Sequence, residues 1–148
     1  MDPVPPILVL DDDPDVALAA RYALSGLAAR IDQGLSLDGL EERVGQGRYA
    51  AVLLDMNFVA GESAGRAGLD GLGRIKAADP AVAVVLMTAY GGVQLAVEAL
   101  KRGAADFVLK PEVRRSRIWA SATSARPAAR NRSTRASSAA MATIRAVA

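Results

Sequence analysis

Acidic side chains directly follow two short apolar runs: Ile7-Leu8-Val9-Leu10 leads into Asp11, Asp12 and Asp13, and Val52-Leu53-Leu54 leads into Asp55. Two further apolar runs also end on polar groups, Val82 to Met87 on Thr88 and Phe107 to Leu109 on Lys110. Carboxylates gathered in this way repel one another unless a hard cation sits among them. Oxygen ligands of this kind suit Mg²⁺, which keeps several waters of its own. The chain has no cysteine and no histidine. Disulfides, thiolate zinc sites, Ser/His/Asp triads and imidazole acid–base chemistry are therefore excluded.

These residues need elements to position them. Strands are predicted at Ile7 to Leu10, more weakly at Ala28 to Asp32, then at Tyr49 to Leu54, Val82 to Met87 and Phe107 to Leu109. Between them, Asp13 is a plausible N-cap for a helix with Pro14 in its first turn and an apolar face of Val16, Leu18, Ala19, Tyr22, Ala23 and Leu27. Further helices are predicted over Leu37 to Val44, Leu69 to Ala78 and Val93 to Arg102, the last stopped by Gly103. Alternating strands and helices favour an α/β fold, a doubly wound parallel sheet with helices on both faces. Asp13 and Asp15 read as capping and surface residues, and Asp106 as an exposed turn residue. The glycines at 61, 65, 68, 71 and 73 read as a flexible loop, since no strand, Gly-rich loop and lysine pattern makes them a phosphate cradle.

At 148 residues the chain is read as one domain. The net charge of +2 hides a division: residues 1–111 carry 10 Lys/Arg against 15 Asp/Glu, and residues 112–148 carry 8 Arg against Glu112 alone. The body is acidic and the tail basic, so nucleic-acid binding is not expected of the body. The Ala/Arg/Ser-rich tail, 112–148, offers only Ile118, Trp119, Ala122 and Ala125 near helical spacing before Pro127 intervenes. It is read as disordered, or as a truncated or frame-shifted replacement for a fifth helix. The alternative is a basic arm that binds phosphate backbones. No apolar run reaches the length of a membrane span, and the expected location is the cytoplasm.

From about residue 5 to 111 the chain resembles the receiver domain of two-component response regulators, because five separated elements match in order: Asp11-Asp12, Asp55, Thr88, Phe107 and Lys110-Pro111. The resemblance implies a five-stranded sheet in the order 2-1-3-4-5 and Asp55 as phosphoacceptor. It also implies Mg²⁺ held by Asp11, Asp12 and Asp55 with the backbone carbonyl of Asn57, Thr88 on the phosphoryl group, Lys110 paired with it, and a cis peptide before Pro111. Phe107 falls at the family's aromatic switch position, although an aromatic at a strand edge also packs without switching. Tyr90 is either part of a partner surface or a half-exposed loop residue. The stretch Asp55-Met56-Asn57-Phe58 with Gly61, Gly65 and Gly68-Leu69-Asp70-Gly71 beyond is similar to receivers of sigma-54-dependent (NtrC-type) activators. A sensor histidine kinase as phosphodonor is implied, as is a homodimer through the fourth and fifth helices and the strand between them. The protein would be a signalling switch rather than a turnover enzyme. Besides the basic-tail DNA-binding fragment, the other alternative is a Mg²⁺-dependent aspartyl-phosphate phosphatase; such enzymes normally carry an acid two residues after the nucleophile, where this chain has Asn57.

Overall fold

A computed structural model describes residues 5–25, 28, 30–56, 66–88 and 93–110. Its elements run β1 (Ile7–Leu10), α1 (Pro14–Leu24), β2 (Ile31–Gly34), α2 (Leu40–Gly45), β3 (Ala51–Asp55), α3 (Arg66–Ala78), β4 (Ala83–Thr88), α4 (Val93–Lys101) and β5 (Asp106–Leu109). The sheet order is β2-β1-β3-β4-β5, with every neighbouring pair parallel. Both the fold class and the strand order predicted above are those of the protein. Asn57, Tyr90, the peptide before Pro111 and the whole of 112–148 lie outside the described residues.

The sheet separates two apolar layers, and residue parity assigns each strand side chain to one of them. Ile7, Val9, Leu53, Val85 and Met87 share a layer with Ala17, Ala20 and Leu24 of α1. Leu8, Leu10, Val52, Leu54, Val84 and Leu86 share the other with Leu40 and Val44 of α2, Leu72 and Ile75 of α3, and Ala99 of α4. Strands buried on both faces must be apolar on both, which is why β1, β3 and β4 read as unbroken hydrophobic runs.

Several local expectations change. Asp13 does cap α1, accepting from the Asp15 amide at 2.9 Å. The buried face of that helix, however, is Val16, Ala17, Ala20, Ala23 and Leu24, while Leu18 is 43% and Tyr22 70% exposed. Small alanines let the helix sit close to the sheet, which turns the larger side chains outward. The second strand runs Ile31–Gly34 rather than Ala28 to Asp32, because pairing with β1 sets its register: Ile7 opposes Ile31, Leu10 opposes Gly34, and the Asp11 amide donates to the Gly34 carbonyl at 3.1 Å. A Cβ on Gly34 would lie 2.6 Å from Leu10 Cδ2, so a larger residue at the end of the strand would require that side chain to shift. Helix α2 starts at Leu40, since Gly39 before it is left-handed (φ 66°) and breaks the predicted run from Leu37.

The helix after β3 starts at Arg66, three residues before the predicted Leu69, and takes in Gly68, Gly71 and Gly73. These three are therefore helical rather than part of a flexible loop. Gly68 and Gly71 are buried where α3 crosses β3, with Met56 and Leu54 beside them. Arg74 ties α3 to α2 by pairing with Glu41 and donating to the Leu37 carbonyl at 3.0 Å. Asp106 is the half-buried first residue of β5 and not an exposed turn residue. Its carboxylate accepts from the Phe107 amide at 2.9 Å.

Candidate functional site

Parallel pairing brings the C-terminal ends of β1, β3, β4 and β5 to one edge of the sheet. Leu10 opposes Leu54, Asp55 opposes Met87, and Thr88 opposes Leu109, so the residues that follow the apolar runs become neighbours. Past the last rung, the Lys110 amide donates to the Thr88 carbonyl at 2.6 Å, and the Met56 amide to the Met87 carbonyl at 2.8 Å. The ladder thus continues one residue beyond the strands and fixes the backbone from which the polar side chains project.

Asp11, Asp55 and Thr88 are the buried polar residues of this edge, each at most 1% exposed, whereas Asp12 is exposed. One carboxylate oxygen from each of Asp11, Asp12 and Asp55 lies within 4.8 Å of the others. Lys110 reaches across them, its Nζ 2.8 Å from Asp11 Oδ2 and 2.9 Å from Asp55 Oδ1. Asp11 Oδ1 accepts from the Asp13 amide at 2.9 Å, which joins the site to the N-cap of α1. The structure thus brings Asp11, Asp12, Asp55 and Lys110 together, with Thr88 at the adjoining strand end. Phe107 is half-buried and packs on the layer beneath α3 and α4.

Burial pushes the Asp11 carboxyl up to about 6, against the opposing pull of Lys110 and the Asp13 amide, with Asp55 adding repulsion. Burial pulls the Lys110 ammonium down, but its bonds to Asp11 and Asp55 outweigh this and hold it above the ordinary lysine range. Three carboxylates against one ammonium leave the cluster with an excess of negative charge. A divalent, oxygen-seeking cation fits this donor set on both charge and ligand type.

The raised Asp11 value has a consequence for the metal-free protein. The fold favours protonated Asp11, so between about 4 and about 6 the native state binds more protons than the unfolded chain. Stability should then fall as pH rises through that window, and the penalty is complete above it. Asp11→Asn removes the charge while keeping the acceptor for the Asp13 amide. In chelator-treated protein near neutral pH it should raise the melting midpoint by about 3–6 °C, the shift of roughly 1 kcal/mol in a domain of this size. Thermal melts at neutral and mildly acidic pH check this, and the gain from the substitution should shrink on acidification.

Reading the chain for chemistry missed Met56 and Gly68. Met56 is fully buried directly after Asp55, and Gly68 of α3 lies against its backbone. A glycine directly before a predicted amphipathic helix was the available signal, since glycine also marks sites where another backbone approaches closely.

Residues 7–122 match the family model of the response regulator receiver domain, a span that ends within the basic stretch set apart as a tail. The transcriptional regulatory protein ZraR of Klebsiella oxytoca is 37% identical over 107 residues, covering 71% of this chain and 23% of that protein. The nitrogen assimilation regulatory protein NtrX of Azorhizobium caulinodans is 36% identical over 113 residues, covering 71% of this chain and 22% of its own. This chain thus spans less than a quarter of the length of these curated relatives. Among solved structures, the receiver domain of a two-component response regulator from Bacteroides fragilis superimposes with a TM-score of 0.62 at 31% identity, covering 82% of this chain and 98% of that one. The beryllofluoride-activated NtrC4 receiver domain dimer gives a TM-score of 0.62 at 25% identity, covering 80% and 94%. The likeness to NtrC-type receivers read from the sequence stands in these relatives, and the chain belongs to the response regulator receiver domain family of two-component signalling.

Proposed function

We propose that Asp55 is the phosphoacceptor of this receiver, and that a sensor histidine kinase supplies the phosphoryl group. The observation that carries the reading is the Lys110 ammonium bridging two buried carboxylates, Asp11 and Asp55, at the mouth of the sheet. A carboxylate oxygen of Asp55 attacks phosphorus, the bond to the donor imidazole nitrogen breaks, and the electron pair leaves with the imidazole. Asp11, Asp12 and Asp55, with the carbonyl of Asn57, would hold Mg²⁺. When bound, that ion supplies neutralisation of the carboxylates and of the phosphoryl oxygens. Lys110 then follows the new charge: its Nζ, already 2.9 Å from an Asp55 oxygen, exchanges a carboxylate partner for a phosphoryl oxygen.

A phosphorylated aspartate carries about −1.5 to −2 charge by analogy with other phosphorylated side chains, enough to attract a nearby hydroxyl. Thr88 ends the neighbouring strand, and its hydroxyl is the group we assign to the phosphoryl. Phe107 is half-buried near the start of β5, and a change in its packing is the response we assign to movement of Thr88. Such a switch shifts populations through differential contacts in its two states, and homodimerisation would be one output. The proposed role is that of a cytoplasmic signalling switch, not a turnover enzyme.

Intact mass after incubation with acetyl phosphate and Mg²⁺ tests this reading. A single phosphoryl adduct that does not form in a parallel sample containing EDTA is the expected result. Steady release of inorganic phosphate over many turnovers without an accumulating adduct would instead mark a phosphatase.

A further inference from the structure

The residue after Asp55 is held from two sides. Its amide is fixed to β4 through the Met87 carbonyl at 2.8 Å, and its carbonyl accepts the Gly68 amide of α3 at 3.2 Å. The approach at the second contact is close: a Cβ built on Gly68 would stand 2.6 Å from Met56 Cα, 2.9 Å from the Met56 carbonyl oxygen and 2.9 Å from its Sδ. Two of these three atoms are backbone, which cannot rotate away. Gly73, in the same helix, has nothing within 4 Å of the corresponding point. Its glycine answers to no neighbour, whereas the one at 68 lets the helix rest on the peptide that joins the acceptor to Asn57.

We infer that Gly68 is a positioning residue for the phosphoacceptor site: by admitting α3 to contact distance, it fixes the Met56 backbone and with it the aim of Asp55 toward metal and phosphoryl donor. The inference rests on the reading of Asp55 as acceptor and deepens it. A side chain at 68 must push α3 away from Met56 or push Met56 itself, and either shift moves the backbone next to Asp55. Groups that orient a metal ligand without touching the metal typically cost about 10–100-fold in affinity or rate when altered.

The test compares Gly68→Ala, Gly73→Ala and the double variant, in the full chain. Gly73→Ala raises helix propensity without a clash, so it controls for propensity and supports the fold of the double variant. The readouts are the Mg²⁺ concentration that gives half of the metal-induced rise in melting temperature, and the rate of phosphoryl adduct formation with acetyl phosphate at saturating Mg²⁺. Gly68→Ala and the double variant should melt cooperatively yet need about tenfold more Mg²⁺ and form adduct about tenfold more slowly, with Gly73→Ala like the parent. Met56→Ala should not rescue Gly68→Ala, because the closest contact is to the Met56 backbone. Parental Mg²⁺ dependence and adduct rate in folded Gly68→Ala would overturn the inference. So would rescue by Met56→Ala, or loss of the cooperative melt in both Gly68 variants, which would make the contact a requirement of the fold alone. If the parent forms no adduct, the reading of Asp55 fails, while the Mg²⁺ arm still decides whether Gly68 sets the site.

Discussion

Asp55→Asn is expected to abolish the phosphoryl adduct completely while leaving the protein folded. The amide nitrogen carries no free charge-bearing lone pair with which to attack phosphorus, and the amide oxygen is too poor a nucleophile to substitute. The side chain keeps its shape, and its oxygen can still accept from Lys110, so the buried edge is not left with a cavity or an unmet donor. Removing one of three clustered negative charges should also stabilise the metal-free protein and weaken its response to Mg²⁺. The pair of measurements is intact mass and a thermal melt. An unfolded variant would make lost phosphorylation uninformative, but a variant that melts at or above the parental temperature and takes up no phosphoryl group isolates the chemistry at residue 55.

Removal of Lys110 should have the second largest effect, and it should appear in both stability and rate. Its ammonium stands 2.8 Å from Asp11 Oδ2 and 2.9 Å from Asp55 Oδ1, with its side chain only 15% exposed. Lys110→Ala leaves those two buried carboxylates facing each other without it. Breaking a buried ion pair by deleting one partner costs about 3–5 kcal/mol, so the metal-free melt should drop well below that of the parent. Mg²⁺ should recover part of the loss, since a cation restores the missing positive charge. Adduct formation should not recover with it. A preorganised donor aimed at developing charge is worth about 10²–10³ in rate, and Lys110 is the cation that the described ion pairs place on both Asp11 and Asp55. Lys110→Arg keeps the charge but spreads it over a planar fork, and it should restore stability more fully than rate. Melts with and without Mg²⁺, alongside time courses of adduct mass, separate the two effects.

The site was legible in the sequence because of where its residues stand. Asp11, Asp55, Thr88 and Lys110 each follow an apolar run, and a parallel sheet places all such strand ends on one edge. What the sequence concealed depended on packing between distant segments. Leu18 and Tyr22 are the larger apolar side chains and would bury more surface than Ala17 and Ala20, yet the alanines face the sheet because their size allows α1 to approach it. The short edge strand β2 has little apolar pattern of its own, and its limits come from hydrogen bonding to β1. Gly68 reads as part of a flexible loop until Met56 is seen against it. Asp106 reads as turn chemistry until β5 is found pairing it with Val85.

Which side chain carries the phosphoryl group decides whether Asp55 is the phosphoacceptor. An acyl phosphate can be trapped by reduction with borohydride, which converts the phosphorylated aspartate to homoserine. The position is then read by peptide mass spectrometry after proteolysis. Treatment with acetyl phosphate and Mg²⁺ followed by this reduction should place the modification at Asp55 and nowhere else, with none in EDTA. Modification at Asp11, at Asp12 or on a hydroxyl of the basic stretch in place of Asp55, in protein that melts cooperatively, would contradict it.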